Sequence, residues 1–191
     1  IAVSRRAPDR LDGATFVSAD LRDAAACRAL FGAMSDITHV VYAALFEKPG
    51  LVPGWREQEQ IRTNAAMLEN LLGPLAEASA STLQHVALLQ GTKAYGVHVE
   101  PFPVPAREER SERHDLENFY WLHEQYLKDC QAGRGWHYTI YRPQIIFGLS
   151  LGSAMNLIPA IGVYAAVLRE QGRPLVFPGG PGNLLEAVDA D

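Results

Sequence analysis

The sequence predicts an α/β fold, a doubly wound parallel sheet, and three observations carry that prediction. Short apolar runs alternate along the chain with longer stretches of helical pattern, the order expected of strand–helix–strand units. The run at residues 38–44 (THVVYAA) is mostly apolar and β-branched, as a buried parallel strand should be. The longest helical stretch, residues 55–78, sets Ile61, Met67, Leu68, Leu71 and Leu72 on one face.

Each element follows from the same reading. Residues 1–4 (IAVS) form a short strand that runs into a polar turn with Pro8. Residues 14–19 (ATFVSA) form the second strand, and residues 20–34, rich in alanine and leucine, the first helix. The third strand, at 38–44, leads through a loop with Pro49, Gly50, Pro53 and Gly54 into the long helix. Residues 83–89 form a fourth strand, 117–131 a helix and 138–142 a fifth strand. Residues 96–115, with Pro101, Pro103 and Pro105, form the longest loop, and loops of that length in compact domains are often functional. Residues 184–191 read as the opening of a helix. Ile1 falls within a strand already under way, so both ends read as cuts.

Composition bounds the function. The 191 residues suffice for one domain with a real core. Hydrophobic residues make up 48% and charged residues 20%, ordinary for a globular protein. A net charge of −5 speaks against a nucleic-acid partner, which would favour a basic face. No run of about 18 apolar residues is present, so no membrane span is expected, and without a signal-peptide pattern the expected location is cytoplasmic. Cys27 and Cys130 lack metal spacing and read as ordinary intracellular thiols. The six histidines show no metal spacing either, so no metal site is expected; His85 and His137 are read as structural residues flanking strands. Ser150 and Ser153 do not lie in the Gly-x-Ser-x-Gly elbow of a serine hydrolase.

In an open parallel sheet, ligands bind beyond the carboxyl ends of the strands, so the residues just after each strand carry the information. Ser4, Arg5 and Arg6 follow the first strand. A dinucleotide-binding sheet reads the adenosine ribose there, and arginine suits the 2′-phosphate of NADP, where forked donors meet a dianion. A solvated basic turn is the other reading. Asp20 and Leu21 follow the second strand: the carboxylate can accept from an adenine amino group while the leucine packs on the ring, or Asp20 is a helix N-cap. Ala43 and Ala44, small residues after the third strand, would let backbone approach a cofactor. Lys93 stands in a glycine-bearing turn, QGTKAYG, after the fourth strand, as a charge near a ribose and a phenol or as a surface lysine. Tyr120 opens the next helix. Most short-chain dehydrogenases place lysine four residues after the tyrosine, one helical turn away, where its charge lowers the phenol pKa. Here that position is Glu124.

The segments GTKAYG (91–96), NFYWLHEQYL (118–127) and WHYTIYRPQIIFGLSLGSAMN (136–156) together resemble the progesterone 5β-reductase/iridoid synthase-like group of atypical extended short-chain dehydrogenases. Ser4, Arg5, Arg6, Asp20, Leu21 and Asn64 fit the same resemblance. It implies a Rossmann-like domain at 1–142 that lacks its first strand and glycine-rich loop, followed at 143–191 by part of a substrate-binding region. It further implies that Lys93 and Tyr120 are the catalytic pair, taken from two loci. NADPH would lie against Ser4, Arg5, Arg6, Asp20, Leu21, Ala43, Lys93, Tyr120, Pro143 and Ile146, and the substrate against Tyr95, Phe147 and Asn156. The implied reaction is hydride transfer to the C=C of an enone, with a homodimer left open. The chain departs from the group's pattern at Trp121, where a second tyrosine is usual, at Glu124-Gln125, and in a shorter stretch between lysine and tyrosine. These departures bear on the substrate rather than on the pair. Two further readings stand beside it: a carbonyl reductase or nucleotide-sugar epimerase/dehydratase on the same fold, and a non-catalytic or degenerate cofactor-binding fragment.

Overall fold

The computed structural model describes residues 1–48, 54–148, 156–179 and 187–189. The chain divides into two compact units, Ile1–Tyr141 and Arg142–Asp191.

In the first unit, β1 (Ala2–Ser4) pairs in parallel with β2 (Phe16–Ser18), Val3 opposite Val17. A second parallel sheet has the order β3 (His39–Tyr42), β4 (His85–Leu89), β5 (His137–Tyr141). Register sets Val40, Val86 and Tyr138 on one face and Val41, Ala87 and Thr139 on the other. Helices α1 (Ala24–Phe31), α2 (Gln58–Ala78) and α3 (Phe119–Gln131) pack side by side, α1 on α2 and α2 on α3. The core forms where this row meets the inner strand face, around Leu68, Leu72, Val86, Leu88, Leu127 and Trp136. Burying each such aliphatic side chain is worth about 1.5–3 kcal/mol. On the opposite face Val41 is 71% exposed and Tyr141 52%, so that face of the sheet stays open within the unit. No ladder joins β1 to β3. A cavity of about 500 Å³ is lined by residues of both strands and by Met67, Leu71 and Leu75 of α2.

Two short 3₁₀ turns complete this unit, Gly54–Arg56 ahead of α2 and Thr92–Tyr95 after β4. In the second unit, β6 (Ile145–Phe147) pairs in parallel with β7 (Ala187–Asp189), and α4 (Leu157–Glu170) lies between them in sequence.

Several expectations change. Residues 187–189, read as helix, are strand: a short Ala-Val-Asp run has little helical preference of its own, and pairing with β6 decides it. The first helix begins at Ala24 rather than 20, because Asp23 accepts the Ala26 N–H as N-cap. Asp20 is therefore not the cap. Trp55 belongs to a separate 3₁₀ turn, and α2 starts only at Gln58. His85 and His137 do not flank strands; they sit within them, in register with each other and with His39. Pro49, Gly50, Pro53, Ser150, Ser153 and residues 184–186 lie outside the described residues. Among those described, no helix is long and apolar enough to cross a membrane, and no group of His, Cys, Asp or Glu could hold a metal ion.

Candidate active site

Lys93 owes its place to the turn that ends β4. After Leu89 the backbone enters the 3₁₀ turn Thr92–Tyr95 and closes at Gly96 with φ +77°, a conformation that costs glycine nothing. A Cβ at Gly96 would also come within 3.2 Å of Arg113 and Leu116, so this corner is fixed to the long loop that follows. Lys93 thus stands at the carboxyl end of a buried strand.

Tyr120 owes its place to the start of α3. Asn118 caps that helix by accepting the Tyr120 N–H at 3.1 Å, and its Nδ2 donates to the Lys93 carbonyl at 3.4 Å. Gln90 Nε2 donates to the Tyr120 carbonyl at 3.2 Å. Two side chains therefore tie the lysine turn to the tyrosine helix in both directions. Trp55 contacts both side chains. The Lys93 ammonium is 3.8 Å from its ring centroid, and Tyr120 meets the same indole edge-on at 5.5 Å. Trp55, Phe119, Tyr120, Ala94 and Tyr95 form one buried cluster, with Trp55 only 2% exposed.

The cluster shapes the electrostatics. Burial strips water from Lys93 and pushes its pKa below the usual lysine value, while the nearby Glu47 carboxylate pulls the other way. His98 is likewise pushed down, first by burial and then by the positive charges of Lys93 and Arg56. Glu47 accepts the Trp55 indole N–H at 2.9 Å. Its segment is pinned by α2: Asn64 bonds both the N–H and C=O of Phe46, and Gln60 Oε1 accepts the Lys48 N–H. Asn64, which the resemblance singled out, is thus a clamp on the chain after β3. Glu124 is 7% exposed and has Lys128 Nζ at 3.9 Å, one turn along the helix.

The residues expected to hold a cofactor gather in part. Ser4, Arg5, Asp20, Leu21 and Ala43 all line the cavity of about 500 Å³, with Ala44 beside them; Arg6 lies outside its lining. The side chains of Arg5 and Arg6 are exposed and in no ion pair among the described residues, and Ser4 Oγ donates to the Arg6 carbonyl. Asp20 is engaged by Arg22, whose Nη2 lies at 2.6 Å and Nε at 2.9 Å, and this fork holds the Asp20 carboxyl down at about 2. Leu21 is 9% exposed and anchored through its carbonyl to Asn70.

Tyr95 faces Phe102 at 6.0 Å and lines a second cavity of about 380 Å³ with Arg107, Arg110 and Arg113. Pro143, Ile146, Phe147 and Asn156 fall in the second unit. There Asn156 caps α4 through the Ile158 N–H and donates to the Gly148 carbonyl, and Ile146 is 45% exposed. Sequence reasoning missed Arg22, Glu47, Trp55 and His98. Only Trp55 left a trace, as a tryptophan read as the first residue of the long helix, directly after a Pro/Gly-rich loop.

The parallel strands, the helices that cross between them and the residues gathered at the strand ends define a Rossmann-like fold of the short-chain dehydrogenase and epimerase type. Solved structures share it. UDP-glucose-4-epimerase of Stenotrophomonas maltophila, with bound NAD and formylated UDP-arabinopyranose, matches at 24% identity and TM-score 0.57 over 80% of this chain and 47% of that one. Bordetella bronchiseptica WbmG in complex with NAD matches at 15% identity and TM-score 0.58, over 91% and 52%. No family model matches the chain.

Within that class the chain is a homologue of the progesterone 5β-reductase/iridoid synthase-like group, as its sequence relatives show. It is 31% identical over 185 residues to (S)-8-oxocitronellyl enol synthase of Nepeta racemosa, covering 93% of this chain and 46% of that one. It is 32% identical over 184 residues to 3-oxo-Δ(4,5)-steroid 5β-reductase of Arabidopsis thaliana, covering 92% and 46%. A short-chain dehydrogenase of Penicillium aethiopicum matches at 33% over 144 residues, 74% of this chain and 36% of that one. The chain spans about half the length of the curated relatives it matches.

Proposed function

We propose that this chain is the cofactor-binding and catalytic part of an NADPH-dependent reductase that reduces the conjugated C=C of a small enone. The observation that carries the reading is the convergence of Lys93 and Tyr120 on one buried indole from two separate loci. In this reading residues 1–142 bind the cofactor and residues 143–191 begin the substrate-binding part. The enzyme is cytoplasmic, and a second copy of the chain is its candidate partner.

The residues present fit a dinucleotide. Arg5 and Arg6, exposed and in no ion pair among the described residues, stand after β1, where a 2′-phosphate is read. Ser4, Asp20, Leu21 and Ala43 share one cavity at the neighbouring strand ends. When bound, NADPH supplies the hydride, delivered to the β-carbon of the enone. Tyr120 donates a hydrogen bond to the substrate carbonyl oxygen and stabilises the charge that develops there. Lys93, partly desolvated, favours negative charge at the phenol and holds the ribose. The family resemblance assigns Tyr95, Phe147 and Asn156 to the substrate and Pro143 and Ile146 to the cofactor. Glu124, paired with Lys128, takes no part in proton transfer.

The test is the position of the label. With NADPH deuterated at its transferable position, an enone should be converted to the saturated ketone or aldehyde with deuterium on the β-carbon. Deuterium on the former carbonyl carbon, with the alkene retained, would replace this reading by carbonyl reduction.

A further inference from the structure

Lys93 makes no ion pair among the described residues, although it is partly buried and charged. A buried cation without a carboxylate partner needs another source of stabilisation. The face of Trp55 supplies it: a cation over an indole face is attracted by the ring quadrupole, and the attraction grows when water is excluded. Trp55 is held rigidly for this task. Its N–H is fixed to Glu47, whose segment α2 clamps through Asn64 and Gln60. Its ring is wedged against Phe119 at 4.8 Å and Tyr120 at 5.5 Å.

We propose that Trp55 is a positioning residue for the reductase site: its indole face holds the Lys93 ammonium in place beside Tyr120 without neutralising it. The proposal rests on the assignment of Lys93 and Tyr120 made above. A carboxylate in the same position would hold the lysine equally well, but it would occupy its N–H donors and cancel the charge that favours an anionic phenol. An aromatic face leaves the donors free for a ribose and the charge intact. Of the ionisable groups nearby, Glu47 after β3 acts on Lys93, Lys93 and Arg56 both act on His98, and Tyr120 at the start of α3 meets the same indole. Trp55 touches Lys93, Tyr120 and Glu47 together.

The experiment is a double-mutant cycle on the NADPH-dependent rate of the whole enzyme, with thermal unfolding of each variant measured alongside. Lys93→Met alone tests the parent assignment: a near-wild-type rate would remove Lys93 from the site, whatever Trp55 does. With that assignment intact, Trp55→Leu should lower kcat about tenfold to thirtyfold in the wild-type background, in line with a desolvated cation–π contact. In the Lys93→Met background the same substitution should change kcat less than about twofold, because the cation it positions is gone. Equal losses in the two backgrounds overturn the proposal and make Trp55 a packing residue. A second arm preserves the shape should Trp55→Leu unfold the chain. Site-specific replacement of Trp55 by tryptophans bearing progressively more ring fluorines weakens the face and keeps the N–H. The proposal expects kcat to fall stepwise along this series. A flat series overturns it.

Discussion

The Lys93 ammonium lies 3.8 Å from the centroid of the Trp55 ring, and that contact joins a strand end to a helix start. Lysine and tyrosine on one helix need only a four-residue spacing to meet. Here they come from Thr92–Tyr95 and from the first turn of α3, and Trp55, Asn118 and Gln90 bring them together. Under the proposed assignment, the departure at Glu124 is a relocation of the positive charge, and the site is assembled by tertiary structure.

Cofactor choice follows from the end of β1. Arg5 and Arg6 are exposed and in no ion pair among the described residues, so each is available to a phosphate. Charge-assisted hydrogen bonds of this kind are worth about 1.5–3 kcal/mol each. Arg5→Ala combined with Arg6→Ala should raise KM for NADPH by about tenfold or more and leave KM for NADH nearly unchanged. Steady-state kinetics with both cofactors checks this, and equal effects on the two would move the 2′-phosphate elsewhere.

Acid should destabilise the first unit through His123. This residue is 2% exposed, its Nε2 lies 2.8 Å from the Asn64 carbonyl, and its Nδ1 is buried with no hydrogen-bond partner among the described residues. Burial pushes its pKa from 6.5 down to about 4. The unfolded chain therefore takes up the proton first as pH falls. The stability contributed by neutral His123 is complete above pH 6.5 and is lost progressively toward pH 4. The full effect is on the order of 3 kcal/mol. Thermal unfolding of the wild type should weaken between those pH values, and His123→Gln should flatten the dependence. The same slope in both proteins would contradict it.

The core makes a plainer demand. Leu72 on α2 has no exposed surface and sits in the cluster with Val86, Leu88 and Leu127. Leu72→Ala should cost about 2–5 kcal/mol of unfolding free energy, since the space it leaves cannot fully close. Urea denaturation measures this directly, and a loss below about 1 kcal/mol would mean that the core is looser than its packing indicates.

Much of this was legible in the sequence, and the failures have physical causes. The strands of the first unit were readable because each is a short apolar run between polar turns, and α2 because its apolar positions recur with helical spacing. Lys93 and Tyr120 were readable only through the flanking motifs, since a lysine after a strand and a tyrosine on a helix are individually common. The start of α1 was misplaced because Asp20 and Asp23 both have capping chemistry, and only the turn closed by Arg22 on Asp20 decides between them. β7 was misread because its strand character comes from pairing with β6, some forty residues earlier. Trp55 and Glu47 were invisible as site residues because their roles are contacts across long sequence separations, which no local pattern encodes.

The measurement that bears most directly on the central claim is kcat on an enone with NADPH for three variants: Tyr120→Phe, Lys93→Ala and Glu124→Gln. Tyr120→Phe removes a donor used mainly in the transition state and should lower kcat by about 10²–10³. Lys93→Ala should also lower kcat and can weaken NADPH binding. Glu124→Gln should do little, since a carboxylate near the phenol would oppose its ionisation. Near-wild-type rates for Tyr120→Phe and Lys93→Ala, with activity lost in Glu124→Gln, would contradict the account.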